Sequence, residues 1–301
     1  MIPRIDLQAL IAGKAEAVEA MRLAATDIGF AIVYNTALGP NRVAQTIDMY
    51  RAFFRLPAAE KRPYDMAQTG SNRGWGAAGS EQVNPEANAD YKQFFDCGVS
   101  LPAGDPLREM PFYAPNLWPD KPDGFEETLR GYYRDACSVA MQVLRGVAQS
   151  IGRPRDSFDT AFYLPMALLR GNYYPARPDW AGEKDFGIAT HTDYGCLTLL
   201  ATDGSPGLEV RKRGGGWIPV SAPPGEFIIN FGEMISFWSG GEIQATPHRV
   251  VGGTAERISV PLFFNPAYET NVAPDGADEV VKAGDHLTKR YTETYVHLQK
   301  K

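Results

Sequence analysis

Apolar residues in the first half of the chain recur mainly at helical spacing. Between positions 18 and 28 they fall three or four residues apart, which predicts a helix that Gly29 can end. The continuous run FAIVY at 30–34 predicts a buried strand, and a second helical pattern starts at Pro40. A long apolar stripe predicts a further helix over 124–150. The first half is therefore expected to be largely helical, with one early strand.

From about residue 166 the pattern changes to short apolar or alternating runs separated by Gly, Pro and Asp. The runs are MALLRGNYY, GCLTLLA, GLEVRKR, GWIPV, EFIINFG, MISFW, PHRVVGG and RISVPLFF. Many short strands at this spacing are typical of a β-sandwich, jelly roll or barrel. The glycines at 214–216 predict a hairpin turn between two of these strands. A last helix is predicted near 284–299.

An irregular segment rich in Gly, Pro and Asn separates the two patterns. It covers residues 64–123 and contains one short predicted strand at 91–98. We find no clean linker in it, so one integrated unit is expected rather than two domains. In that unit, residues 1–120 form a mainly helical N-terminal region, and residues 121–301 carry the long helix and the β core.

Composition narrows the classes of partner. The chain has 301 residues and a net charge of −6, so it lacks the basic character typical of nucleic-acid binders, and a small-molecule substrate is expected. Three widely spaced cysteines argue against a disulfide framework and favour a reducing compartment. No apolar stretch approaches the roughly 18 residues of a membrane span, and the N-terminus does not resemble a signal peptide. We therefore expect a cytoplasmic protein; the oligomeric state is not predicted.

The chain contains only four histidines, and one of them stands in the tripeptide His-Thr-Asp before an apolar run. Residues two apart in a strand point to the same face, so His191 and Asp193 can meet at one point. Two ligands are too few for a metal, and His248 in PHRVV can supply the third. Two histidines and one carboxylate form the facial triad of non-haem Fe(II) oxygenases. We expect the other two histidines, His286 and His297, on the surface.

An arginine in the last apolar strand points to a second ligand. Arg257 and Ser259 are two residues apart in RISVPLFF, so they share one face of the strand. A buried guanidinium needs an anionic partner, and its planar donors match a carboxylate. In the alternative arrangement, Arg257 faces outward and pairs with a surface acid such as Glu256. Two other classes also stay open, a zinc hydrolase and a non-catalytic β-barrel binding protein.

Several longer segments, in this order and spacing, resemble the isopenicillin N synthase-like family of 2-oxoglutarate/Fe(II)-dependent oxygenases. In the C-terminal half they are HTDYGCLTLL, PGLEVRKRGGGWIPV, PGEFIINFGEMISFWSGG, TPHRVVGG and ERISVPLFFNP. In the N-terminal half, IPRIDL, DIGFAIVYN, FFRLPAAEKR and SNRGWGAAGSE are similar to that family's N-terminal region. The resemblance covers nearly the whole chain. It implies a double-stranded β-helix, a distorted jelly roll, flanked by N-terminal helices.

The resemblance also implies an activity, with Fe(II) as cofactor and 2-oxoglutarate and O2 as cosubstrates. Such an enzyme oxidises a C–H bond of a small molecule and converts 2-oxoglutarate to succinate and CO2. Hydroxylation is the commonest outcome in the family, and desaturation and cyclisation are variants. The implied iron ligands are His191, Asp193 and His248. The implied contacts of 2-oxoglutarate are Arg257, Ser259, Tyr174 and Asn172.

Two aspects of the activity stay open at this point. Isopenicillin N synthase itself uses no 2-oxoglutarate, so Arg257 could hold a substrate carboxylate in an Fe(II) oxidase of that type. The primary substrate cannot be named from the sequence, and the predicted C-terminal helix around Tyr295 is a candidate lid over it. The candidate substrate contacts are Arg73, Trp75, Phe237, Phe264 and Asn265.

Overall fold

The computed structural model describes residues 1–294 except 70, 85, 178, 180, 183 and 184. Short strands dominate the second half of this part of the chain, in agreement with the sequence pattern. The strands are β1 (Arg4–Asp6), β2 (Phe30–Tyr34), β3 (Gly74–Gly76), β4 (Gln93–Gly98), β5 (Leu168–Tyr174), β6 (Ile188–His191), β7 (Leu197–Thr202), β8 (Leu208–Arg211), β9 (Trp217–Val220), β10 (Phe227–Phe231), β11 (His248–Val250) and β12 (Arg257–Phe264). The α-helices are α1 (Leu7–Ile11), α2 (Ala15–Leu23), α3 (Pro40–Phe54), α4 (Ala58–Lys61), α5 (Met66–Thr69), α6 (Phe125–Ser150), α7 (Glu233–Trp238) and α8 (Ala283–Thr294).

The strands form two sheets that face each other. The large sheet has the order β1-β2-β10-β7-β12-β5-β4-β3, and the small sheet has the order β6-β11-β8-β9. The hairpin predicted at 214–216 joins β8 to β9, and Gly215 and Gly216 both have positive φ angles there. Because β1 to β4 join β5, β7, β10 and β12 in the large sheet, strands from both halves of the chain share one layer.

A helical layer covers the outer face of the large sheet. Helix α6 contacts α2, α3 and β12, and its apolar stripe includes the fully buried Leu129, Val143 and Leu144. Alternate residues of β12 divide between the two faces of the sheet. Ile258 and Val260 pack into this outer core, and Arg257 and Ser259 point toward the space between the sheets. The inward orientation of Arg257 follows from this division, and the alternative of an outward pairing with Glu256 is wrong.

Some local predictions differ from the structure. The run MISFW was expected as a strand, but Glu233–Trp238 form α7, because the chain turns after β10 and its backbone N–H groups bond the carbonyls of the loop 193–196. His286 was expected on the surface, but it is half-buried on α8. His297 and Tyr295 lie outside the described residues.

The predicted helices that Gly29 ends and that Pro40 begins are both present. The first continues from α2 into a π-helical turn at Ala24–Ile28, and Gly29 closes it in the left-handed conformation. Within the described ranges, no helix is both long and apolar enough to cross a membrane. The boundary near residue 120 stays a prediction.

Candidate active site

Three potential metal ligands converge between the two sheets. His191 ends β6 and His248 begins β11, and the two residues are direct cross-strand partners. Asp193 lies in the loop that leads from β6 to β7. One ligand atom from each of the three residues lies within 4.8 Å of the others, and Asp193 Oδ1 is 3.6 Å from Nε2 of both histidines. This set of two imidazoles and one carboxylate can hold a divalent transition metal.

Backbone carbonyls orient both imidazole rings. His191 Nδ1 donates to Ala189 O at 2.8 Å, and His248 Nδ1 donates to Thr246 O at 3.2 Å. Because a carbonyl oxygen can only accept, a proton lies on each Nδ1, and each Nε2 is the atom that can bind a metal. Burial and the neighbouring His191 lower the pKa of His248 to about 4, which keeps it in the neutral form. Burial opposes the charge of His191, but the neighbouring Asp193 outweighs it and raises the pKa of His191.

Asp193 uses its two carboxylate oxygens for different purposes. Oδ2 accepts hydrogen bonds from the hydroxyl of Thr198 and from Nδ2 of Asn230, the latter at 2.7 Å. Thr198 and Asn230 are cross-strand partners on β7 and β10, so the large sheet fixes this oxygen. Burial opposes ionisation, but these bonds and the two histidines hold the pKa of Asp193 well below its usual range. The carboxylate is therefore ionised, with Oδ1 directed at the histidines.

A buried guanidinium lines the same space. We call this space the intersheet cavity; it is lined by the three metal-site residues together with Arg257, Ser259, Tyr174 and Asn172. The Arg257 side chain lies over the ring of Tyr174, with Cζ 5.0 Å from the centroid. Its Nε and Nη1 are buried and have no hydrogen-bond partner among the described residues, and Asn172 Oδ1 is also unpaired there. Buried polar atoms are normally paired, so the unpaired Arg257 donors suit an anionic ligand, whereas Asn172 Oδ1 can only accept a hydrogen bond.

A second cavity adjoins the first. We call it the adjoining cavity, and its lining shares His191, Asp193 and Asn172 with the intersheet cavity. Most of its wall is apolar, and Asn265 also belongs to it. It therefore offers a small molecule access to the side of the metal site. The apolar members of its wall include Val83, Leu168, Ile188, Phe263 and Leu287.

Charged side chains form one wall of the adjoining cavity. Arg170 donates to both oxygens of Asp96, at 2.7 and 2.6 Å, and to Glu81 at 2.8 Å. Lys92 donates to Glu81 at 2.7 Å and to Asp90 at 2.8 Å. All five groups are buried. Burial opposes the charge of Glu81, but Arg170 and Lys92 lower its pKa to about 2. These ion pairs fix the wall in one arrangement.

Sequence reasoning missed this charged wall. Lys92 and Asp96 are four residues apart in YKQFFDCG, so both share one face with Phe94, and two charged residues on such a face are a usable signal. Their partners gave no comparable signal, since Glu81 lies in an irregular segment and Arg170 is 74 residues from Asp96.

The five candidate substrate contacts fall in different places, and of these only Asn265 is part of the adjoining cavity's described lining. Arg73 is almost fully buried and donates to the backbone carbonyls of Asn72 and Phe112. The Trp75 indole donates to Gln93 inside the core. Phe264 stacks on Phe162 on the outer side of β12, while Phe237 is 41% exposed on α7.

Comparison with known proteins agrees with this geometry. Residues 2–121 match the family described as the non-haem dioxygenase in morphine synthesis N-terminal region, and residues 165–266 match the 2OG-Fe(II) oxygenase superfamily. The chain is 30% identical over 323 residues to homoarginine-6-hydroxylase 2-ODD-233 of Oryza sativa subsp. japonica, with 98% of each chain covered. It is 31% identical to the 2-oxoglutarate-dependent dioxygenase traH of Penicillium crustosum, with 88% of this chain and 84% of traH covered.

A solved structure extends the likeness to three dimensions. The crystal structure of a full-length Neurospora crassa protein in complex with alpha-KG matches this fold with a TM-score of 0.86 at 25% identity, covering 97% of this chain and 96% of that chain. These relatives favour 2-oxoglutarate dependence over the oxidase, zinc hydrolase and binding-protein alternatives. The implied jelly-roll fold is confirmed. The chain belongs to the 2-oxoglutarate/Fe(II)-dependent oxygenase superfamily, and it is a dioxygenase that oxidises a small-molecule substrate with Fe(II), 2-oxoglutarate and O2.

Proposed function

We propose that His191, Asp193 and His248 bind the catalytic Fe(II). The support is the chemistry of the donor set, in which two imidazoles and one ionised carboxylate present three ligand atoms to one point. Iron and 2-oxoglutarate supply the oxidising chemistry, with release of succinate and CO2. The protein's own groups orient the ligands through Nδ1 and Oδ2, and they surround the site with largely apolar walls that limit access of water.

Arg257 is the proposed anchor for the far carboxylate of 2-oxoglutarate. The observation that supports this assignment most directly is that its buried guanidinium has unpaired donors within the described part of the chain. Its buried Nε and Nη1 lack partners among the described residues, and Ser259 adds a hydroxyl on the same face of β12. Tyr174 lies under the guanidinium, and Asn172 lines the same cavity. A dicarboxylate that bridges Arg257 and the metal would satisfy both groups.

The adjoining cavity is the proposed site of the primary substrate. Its apolar side chains would hold a small hydrocarbon body, and the wall of Arg170, Glu81 and Lys92 would meet a polar group. Hydroxylation is the proposed outcome, in line with the activity that the name of the rice relative gives for that protein. Free Cys97, Cys137 and Cys196 support a reducing compartment such as the cytoplasm.

An anaerobic titration tests the assignment. Fe(II) and then 2-oxoglutarate are added to metal-free protein, and the weak visible charge-transfer band of a chelated keto acid is recorded. His191→Ala should abolish the band at every 2-oxoglutarate concentration. Arg257→Ala should weaken 2-oxoglutarate binding by at least about thirtyfold, because it removes a buried charged partner worth about 2–5 kcal/mol.

Arg4→Ala is the matched control, since it removes an exposed arginine on β1. Its titration should follow that of the wild type. An unchanged 2-oxoglutarate affinity in Arg257→Ala would refute the anchor, and a band that persists in His191→Ala would refute the metal site.

A further inference from the structure

Helix α8 covers one side of the adjoining cavity. Its Leu287 and Tyr291 belong to the cavity lining, and Tyr291 packs on Phe112 with ring centroids 5.4 Å apart. The start of the helix is fixed, because the Gly284 N–H donates to Tyr268 O at 3.0 Å. A bound substrate would therefore touch α8 directly.

One carboxylate connects α8 with the loop that carries the metal ligands. Glu233, the first residue of α7, accepts Arg290 Nη2 of α8 on both oxygens, at 2.7 and 2.6 Å. Its Oε1 also accepts the hydroxyl of Thr192, the residue between the ligands His191 and Asp193.

The backbone of Glu233 is also hydrogen-bonded to the loop that carries the metal ligands. Its N–H donates to Asp193 O at 2.7 Å. Arg290 adds a contact of its own, with Cζ 4.8 Å from the ring centroid of Tyr194, which follows Asp193. Any shift of Glu233 is thus transmitted to the residues on either side of the metal ligand.

Energetics favour a coupling role over a purely stabilising one. The side chains of Glu233 and Arg290 are 29% and 33% exposed, and ion pairs in such positions contribute little to stability by themselves. Yet the pair joins two elements that are distant in sequence, α8, which lines the adjoining cavity, and α7, which is bonded to the metal-binding loop. A contact of this kind can bias the position of one element by the position of the other.

We propose that Glu233 is a positioning residue that couples docking of α8 over the substrate to the geometry of the metal-binding loop. The proposal rests on the proposed function, since it takes the metal to lie at His191, Asp193 and His248. When α8 is docked, Arg290 holds Glu233, and Glu233 holds Thr192 and the Asp193 backbone in the ligating arrangement. When α8 is released, this support is lost and the metal is bound less tightly.

Metal affinity without turnover is the first measurement. Mn(II), which avoids oxidation, is titrated into metal-free wild type, Arg290→Gln and Lys289→Gln. Both variants remove one positive charge from neighbouring positions on α8, and Arg290 is the one that bonds Glu233. Arg290→Gln should weaken Mn(II) binding about fivefold or more, the usual lower range of coupling between sites, and Lys289→Gln should not.

A double-mutant cycle tests whether the coupling passes through the hydroxyl of Thr192. Thr192→Val removes the hydroxyl that Glu233 accepts, and Thr192→Ser keeps it. In the Thr192→Val background, Arg290→Gln should have a smaller effect on Mn(II) affinity than in wild type, because only the backbone bond of Glu233 to Asp193 and the contact of Arg290 with Tyr194 remain. In the Thr192→Ser background, Arg290→Gln should keep its full effect.

Reciprocity gives an independent readout. If α8 docking favours the metal, then the metal must favour docking by the same factor. Hydrogen exchange of the α8 amides should therefore slow about fivefold or more when Mn(II) is added to wild type, and Glu233→Gln should remove the difference.

The outcomes are distinguishable. The coupling would be refuted if Arg290→Gln bound Mn(II) with wild-type affinity and Mn(II) did not change the hydrogen exchange of the α8 amides. The metal assignment would stand in that case. A wild-type protein that binds no Mn(II), or a His191→Ala variant that binds it fully, would overturn the metal assignment and the coupling with it.

Discussion

Asp193 shows how individual hydrogen bonds orient a metal ligand. Thr198 and Asn230 both donate to its Oδ2, which leaves Oδ1 for the metal. Thr198→Val keeps the shape of the side chain but removes one donor. We expect the affinity for Fe(II) or Mn(II) to fall about 10- to 100-fold, as for other bonds that orient metal ligands.

Thr198→Ser is the matched control, because it retains the hydroxyl. It should bind the metal within a few-fold of wild type, measured by the same titration. Equal affinities in Thr198→Val and Thr198→Ser would mean that the hydroxyl does not orient Asp193.

At the residue scale, the sequence predicted those site residues that stand in short motifs. His191 and Asp193 are two positions apart, and Arg257 stands alone in an apolar strand, so each had a local signal. Arg170 and Glu81 had none, because an ion pair between residues 89 positions apart depends on the register of strands that the sequence does not specify. The resemblance to the oxygenase family did not predict this ion pair, because the residue roles that the resemblance implied were those of the iron ligands and the 2-oxoglutarate contacts.

At the element scale, β5 and α3 pack so closely that a side chain on Gly171 would not fit. A Cβ built on Gly171 would lie 2.2 Å from the ring of Tyr50, which is itself fully buried. Gly171→Ala should lower the free energy of unfolding by about 1–3 kcal/mol through overpacking. Chemical denaturation checks this, with Gly253→Ala as control, since a Cβ at Gly253 meets nothing within 4 Å. An unaltered stability in Gly171→Ala would show that the ring can move aside at no cost.

Predictions of elements succeeded where a single pattern ran long enough. The stripe over 124–150 predicted α6 almost to the residue, and the alternating runs predicted β7 to β10. The failure at α7 has a physical cause. MISFW is short and wholly apolar except for one serine, so its periodicity cannot distinguish a strand from a helix, and contacts with the loop 193–196 decide the outcome.

At the scale of the whole molecule, the proposed ligands connect the two sheets. His191 and His248 belong to the small sheet, whereas Arg257 and Tyr174 belong to the large one. A metal alone would be held mainly by the two histidines of the small sheet, and 2-oxoglutarate alone would contact mainly residues of the large sheet such as Arg257 and Ser259. A metal and 2-oxoglutarate that chelates it would together span the space between the sheets.

This arrangement predicts synergy in thermal unfolding. Under argon, Mn(II) and 2-oxoglutarate together should raise the Tm by more than the sum of their separate effects, because each increases the affinity of the other for the folded state. A ligand at 100 times its Kd stabilises the folded state by about 2.7 kcal/mol, which is readily detected. In Arg257→Ala the increment from Mn(II) alone should persist, since the three metal ligands are intact, and the extra increment from 2-oxoglutarate should fall to about a third of the wild-type value or less. Strictly additive increments in wild type would mean that the two ligands bind at separate places, and the bridge between the sheets would have to be abandoned.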